Sequence, residues 1–208
     1  MPRAIIIRTA GTNCDAEMVR AFELAGARAD LLHLDAIIAD PSQLDAFDLV
    51  GLPGGFSYGD DIASGRILAM KLRERLYPAL RDAAARGCPM IGVCNGFQVM
   101  AQAGLLPGPE KQDDWPKAPP VPTVTLAQNK NARFVDRWVG MLPNPDSPCI
   151  WTRPLIELAQ QPNQHNDPCA ALMLPVAHGE GRFIPQSPAV LESLKTHNQI
   201  ALRYTDNF

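Results

Sequence analysis

The sequence predicts an α/β protein with an open, mostly parallel sheet, helices on both of its faces, and β-rich additions in the second half. Three observations predict it. Short apolar runs alternate with helical patterns through the first hundred residues, as in strands joined by right-handed crossover helices. The first run, Ile5-Ile6-Ile7, is apolar without alternation, which suits a strand buried on both faces. The prolines are also unevenly spread. Five stand at positions 2, 41, 53, 78 and 89, and the other fifteen lie between Pro107 and Pro188. The second half is therefore broken by turns.

Taken in order, residues 4–8 form the first strand. Thr12 reads as a helix N-cap with Asp15 three residues on. The apolar positions Met18, Val19, Phe22 and Leu24 continue that helix until Gly26 ends it. Residues 29–34 form a second strand and residues 49–52 a third. A glycine-rich turn comes next, then a helical stretch over 62–86 that Pro78 should bend or split. Residues 90–93 form a fourth strand and 95–103 a helix. Beyond this, 107–122 is a proline-rich polar loop, expected to be exposed. Residues 121–127, 133–139, 149–152, 172–177 and 200–204 read as strands, and 188–196 as a short helix. Residues 144–148 and 160–168 read as surface loops.

Length and charge narrow the function. The 208 residues suit a single domain over 1–208, with 46% hydrophobic and 20% charged residues. The net charge of −3 predicts neither nucleic-acid nor membrane-surface binding, and no apolar run is long enough to cross a membrane. The five cysteines, Cys14, Cys88, Cys94, Cys149 and Cys169, form no CxxC pair, so no metal site is expected. Free thiols in a reducing cytoplasm are the expectation.

The strongest chemical signal is Gly92-Val93-Cys94-Asn95-Gly96-Phe97-Gln98. It leaves an apolar strand and opens a helix, the setting of a nucleophile elbow. Glycines on either side remove side chains that would clash in so sharp a turn. The helix N-terminus behind Cys94 favours negative charge at the sulfur. The Asn95 N–H points where an oxyanion would form. A small buried apolar cysteine is the bland alternative, and the strand, the glycines and the helix all argue against it. The second signal, Pro53-Gly54-Gly55-Phe56-Ser57-Tyr58-Gly59-Asp60, also comes after a strand, so it should emerge at the same carboxyl edge of the sheet. Its paired glycines can present N–H groups without steric hindrance. It lacks the GxxxxGK[ST] pattern that binds nucleotides.

At these residues the sequence resembles the class I (triad) glutamine amidotransferases, whose flavodoxin-like fold matches the predicted one. Four strings in order, Gly11-Thr12-Asn13-Cys14-Asp15, Gly54 to Asp60, Gly92 to Gln98 and Pro175-Val176-Ala177-His178-Gly179-Glu180-Gly181, are similar to the glutaminase subunits of phosphoribosylformylglycinamidine synthase. The resemblance implies that Cys94 attacks the amide of glutamine and forms a γ-glutamyl thioester. It implies that Gly55 and Asn95 give backbone N–H groups to the oxyanion and that Gln98 helps hold glutamine. It also implies a synthetase partner that binds ATP and Mg and receives the ammonia, in some cases with a small bridging subunit. No cofactor is implied in this chain.

A thiol nucleophile needs a base. His33 lies amid apolar residues of the second strand and reads as structural. His165 and His197 read as surface residues. His178 with Glu180 has the spacing of a catalytic pair at a strand end. The resemblance argues against it, because that family's triad histidine and glutamate belong to a later His-Pro-Glu motif. No His-Pro-Glu occurs in the 208 residues. The expectation is therefore of an amidotransferase domain lacking its C-terminal end and weak as a glutaminase, with His178 shaping a turn. Two other readings remain open here: a non-catalytic regulatory or scaffold subunit of an amidotransferase complex, and a DJ-1/PfpI-type cysteine hydrolase.

Overall fold

The computed structural model describes residues 1–110, 113–160 and 172–205. They fall into two compact units, Met1–Thr125 and Leu126–Phe208.

The first unit is built on four parallel strands. These are β1 (Arg3–Arg8), β2 (Arg28–His33), β3 (Leu49–Leu52) and β4 (Met90–Gly92), in the order β2-β1-β3-β4. Register puts Ile6 opposite Gly51, and Ile5 opposite Val50. Because side chains alternate across a strand, Ile6 and Gly51 share one face. There α1 (Asp15–Leu24) packs so closely that a Cβ on Gly51 would come within 2.7 Å of both Ile6 Cδ1 and the Met18 sulfur. Ile5, Ile7, Val50 and Leu52 point to the other face. They join one core with Leu68, Leu72, Leu76, Leu80 and Val99, all nearly inaccessible to solvent. Those residues come from α3 (Arg66–Lys71), a π-turn (Leu72–Leu76), α4 (Tyr77–Ala85) and α5 (Asn95–Ala103). Helices thus cover both faces, as the sequence predicts.

Local chemistry explains the bounds. The long helical stretch divides where Pro78 enters the first turn of α4, since proline cannot continue the hydrogen-bond ladder. Gly104 ends α5 with a left-handed φ of 79°. The sequence missed α2 (Leu34–Ala39) and the 3-10 turn Pro41–Ala46 after it. Thr12 is not the N-cap of α1: the helix starts at Asp15, and the Thr12 hydroxyl instead accepts the Thr9 N–H at 3.2 Å.

The proline-rich loop is tied down. Arg73 on the π-turn donates to the carbonyls of Gln102, Pro119 and Pro120, the last at 2.8 Å. Tyr77 donates to the Pro116 carbonyl and Arg81 to that of Lys117. Trp115 packs on the core.

In the second unit, β6 (Val135–Pro143) pairs antiparallel with β7 (Met173–His178) and, further along, with β9 (Leu202–Tyr204). The strands β5 (Val124–Ala127) and β8 (Arg182–Pro185) form a two-stranded sheet. α7 (Pro188–Thr196) is capped by Ser187, which accepts the Val190 N–H. Residues 149–152, predicted as a strand, are corrected: Ile150–Thr152 is a 3-10 turn leading into α6 (Arg153–Gln160). Apart from Gln160, the predicted loop 160–168, His165 included, lies outside the described residues, as do Cys169 and 206–208.

Candidate active site

β4 ends at Gly92, and the Val93 N–H donates to the Leu52 carbonyl at 3.1 Å. Cys94 then turns the chain with φ 54° and ψ −115°. A side chain held in such a region costs about 1–3 kcal/mol, so neighbours must impose it. The Gly96 N–H donates to the Val93 carbonyl at 2.9 Å, and the Phe97 N–H to that of Cys94 at 3.0 Å. A Cβ on Gly92 would lie 2.6 Å from the Gly96 carbonyl oxygen, and one on Gly96 would collide with the Leu52 carbonyl. The glycine spacing around Cys94 is therefore steric. The Cys94 side chain is exposed at the head of α5.

β3 and β4 are parallel neighbours, so the Gly54-Gly55 turn leaves the sheet beside the elbow. A Cβ on Gly54 would sit 3.2 Å from Cys94 Cβ and 3.6 Å from the Cys14 sulfur. Gly55 has φ 133°, and a Cβ there would meet the Asn13 N at 2.7 Å. The Gly11–Asp15 string lines the same turn. The Phe56 N–H donates to the Gly11 carbonyl at 2.9 Å, and Cys14 N–H to the Gly54 carbonyl at 3.3 Å. Among the described residues, neither the Gly55 N–H nor the Asn95 N–H has a hydrogen-bond partner. The structure therefore brings the Cys94 thiol, the double-glycine turn and Cys14 together. Gln98 is half-buried on the first turn of α5, its N–H bonded to the Cys94 carbonyl at 3.2 Å.

Cys14 is exposed, yet partial burial of its sulfur raises its pKa above the usual thiol value. Negative charge at Glu17, Cys94 and Asp15 raises it further.

Sequence reading missed a buried polar network. The Asn95 side-chain carbonyl accepts the Ser57 hydroxyl at 2.7 Å and the Ser57 N–H at 3.4 Å. Its amide donates to Asp60 Oδ1 at 3.1 Å, and the same oxygen accepts the Gly65 N–H at 2.9 Å. The available signal was a Ser and an Asp at fixed places in the Gly54–Asp60 string.

His178 and Glu180 lie in the second unit. His178 Nδ1 is 3.0 Å from Asn129 Oδ1, which also accepts the Gly181 N–H. The Asn129 amide donates to the carbonyls of Arg133 and His178. That fixes the Asn129 oxygen as acceptor, so Nδ1 donates to it. The ring lies so close over Gly181 that a Cβ there would collide with it. His33 is exposed, and its Nδ1 accepts the Asp35 N–H at the start of α2. His197 is half-buried, with Nδ1 3.0 Å from the Ser193 carbonyl. Among the described residues, no three His, Cys, Asp or Glu side chains are grouped to hold a metal, and no helix is long and apolar enough to cross a membrane.

The family model for the CobB/CobQ-like glutamine amidotransferase domain matches residues 1–208. The chain belongs to that family. The amidotransferase is 38% identical to phosphoribosylformylglycinamidine synthase subunit PurQ of Dehalococcoides mccartyi, over 98% of this chain and 69% of that protein. It is 37% identical to the same subunit of Treponema denticola, over 98% of this chain and 71% of the relative. Among solved structures it is similar to PurLQS from Thermotoga maritima. The TM-score is 0.65 at 28% identity, covering 99% of the amidotransferase and 76% of the other chain.

Proposed function

We propose that this amidotransferase is the glutaminase subunit of phosphoribosylformylglycinamidine synthase, releasing ammonia from glutamine for a synthetase partner. The observation that carries the reading is Cys94, held in a strained elbow beside the Gly54-Gly55 turn, with the N–H groups of Gly55 and Asn95 without a hydrogen-bond partner among the described residues. The likeness to the PurQ subunits supplies the particular synthase.

In this reading the Cys94 thiolate attacks the carboxamide carbon of glutamine. The carbonyl oxygen becomes an oxyanion and takes hydrogen bonds from the N–H groups of Gly55 and Asn95. The C–N bond breaks, nitrogen takes up a proton and leaves as ammonia, and a γ-glutamyl thioester remains. Water then attacks the thioester, giving glutamate and the free thiol. Gln98 helps hold the bound glutamine. ATP and Mg bind to the synthetase, the partner that receives the ammonia. The four described cysteines are free thiols, which suits a cytoplasmic site.

His178 serves as a turn-shaping residue, its Nδ1 committed to Asn129. The test incubates the chain with glutamine and looks for the thioester by intact mass, beside an ammonia assay. A thioester that Cys94→Ala abolishes, with ammonia release untouched by His178→Ala, is expected. Brisk hydrolysis abolished by His178→Ala would make His178 the base. No acylation of Cys94 under any condition would favour the scaffold reading.

A further inference from the structure

The glutaminase chemistry uses the main chain of Asn95 and leaves its side chain without a task. That side chain is unusual. A residue in the first turn of a helix at a sheet edge normally faces water, yet Asn95 and Ser57 are each only 2% exposed. A buried amide leaves water only where partners meet it, and here both ends are met: Ser57 at the carbonyl, Asp60 at the amide.

The partners arrive by an unusual backbone. Tyr58, Gly59 and Asp60 stand in succession with φ of 55°, 70° and 51°. Two of the three are not glycine, and each such residue carries strain of about 1–3 kcal/mol. The turn is held by the Tyr58 N–H on the Ala10 carbonyl at 2.7 Å and the Gly59 N–H on that of Phe56 at 2.8 Å. Its result is to bring Asp60 back to Asn95 and to the Gly65 N–H. Ser57 stands two residues beyond Gly55, so the network joins the segment that carries Gly55 to the one that carries Asn95.

We propose that Ser57 and Asp60 are positioning residues that act through the Asn95 side chain to hold the main-chain N–H groups of Gly55 and Asn95 in one oxyanion site. The proposal rests on the glutaminase reading of those two groups. An oxyanion site works only if its donors are fixed before charge develops. Asn95 and Gly55 belong to different segments, and the hydrogen bond from Ser57 to Asn95 ties them directly. Asparagine suits position 95 because it accepts on one side and donates on the other. Aspartate would accept only and would face the Asp60 carboxylate.

The experiment compares two reagents on the full 208-residue chain. A chloroketone analogue of glutamine reaches Cys94 through attack at its carbonyl, which needs the oxyanion site. Iodoacetamide needs only the thiolate. With Ser57→Ala and Asp60→Ala, the maximal rate of chloroketone labelling should fall about ten- to a hundredfold, with its half-saturating concentration and the iodoacetamide rate close to those of the parent. Asp60→Asn, which keeps an acceptor for both donors, should restore most of the rate. Parent-like chloroketone rates in Ser57→Ala and Asp60→Ala would overturn the proposal and leave the glutaminase reading standing. An equal fall with both reagents would also overturn it, being the mark of a collapsed elbow. If the parent reacts no faster with the glutamine chloroketone than with chloroacetone, the glutamine site itself is wrong and the proposal goes with it.

Discussion

Gly96 of α5 lies against the main-chain carbonyl of Leu52 at the end of β3, so closely that no side chain fits between them. That contact seats the elbow helix on the sheet. Gly96→Ala must push α5 away from β3, and overpacking of this kind destabilises by about 1–3 kcal/mol or more. Gly179→Ala is the control, because a Cβ there meets nothing within 4 Å and should change stability by less than about 0.5 kcal/mol. Urea unfolding of both variants checks this. Equal midpoints would mean that α5 shifts freely and that the glycine is not sterically required.

Arg73 gives the second prediction. Its guanidinium reaches three carbonyls of Gln102, Pro119 and Pro120, and hydrogen bonds from a charged donor contribute roughly 1.5–3 kcal/mol each at best. The carbonyls can turn to water once freed, so the expected loss for Arg73→Ala is only about 2 kcal/mol. The sharper readout is local. Limited proteolysis should cut the variant within 107–122 well before the parent chain. A parent-like digestion pattern would show that Trp115 and the prolines hold the loop without the arginine.

Much of this was legible in the sequence for a physical reason. α5 and α7 could be bounded because a left-handed Gly104 and a capping Ser187 mark their ends locally. The sharp turn at Cys94 could be located because a short strand, flanking glycines and a following helix mark it locally. α2 could not, because the apolar run of β2 carries straight into it and its cap is the histidine His33. The residues Ile150-Trp151-Thr152 favour a strand by type, but the chain goes on into a helix with Pro154 near its start, and they take the turn before it. The contacts from Asn95 to Ser57 and Asp60 span 38 and 35 residues. Such pairing leaves no local period to read.

Cys14 and Cys94 both stand just before a helix, and the two helices differ in the charge of their first turns. α1 carries Asp15 and Glu17 there, whereas α5 carries no acidic residue. A helix N-terminus favours a thiolate, but at Cys14 partial burial and the carboxylates outweigh it, with burial the larger cause. The raised pKa keeps the neutral thiol dominant to higher pH. Alkylation, which needs the thiolate, should therefore set in at Cys14 at higher pH than for a small free thiol. Glu17→Gln removes the largest of the charge effects and should move the profile back to lower pH, and Cys94→Ala should do so by less. Rates of iodoacetamide labelling, measured by peptide mass across pH 6 to about 10.5, a span chosen around the free-thiol value, decide it. A Cys14 profile that coincides with the free thiol and ignores Glu17→Gln would show that the helix N-terminus wins after all.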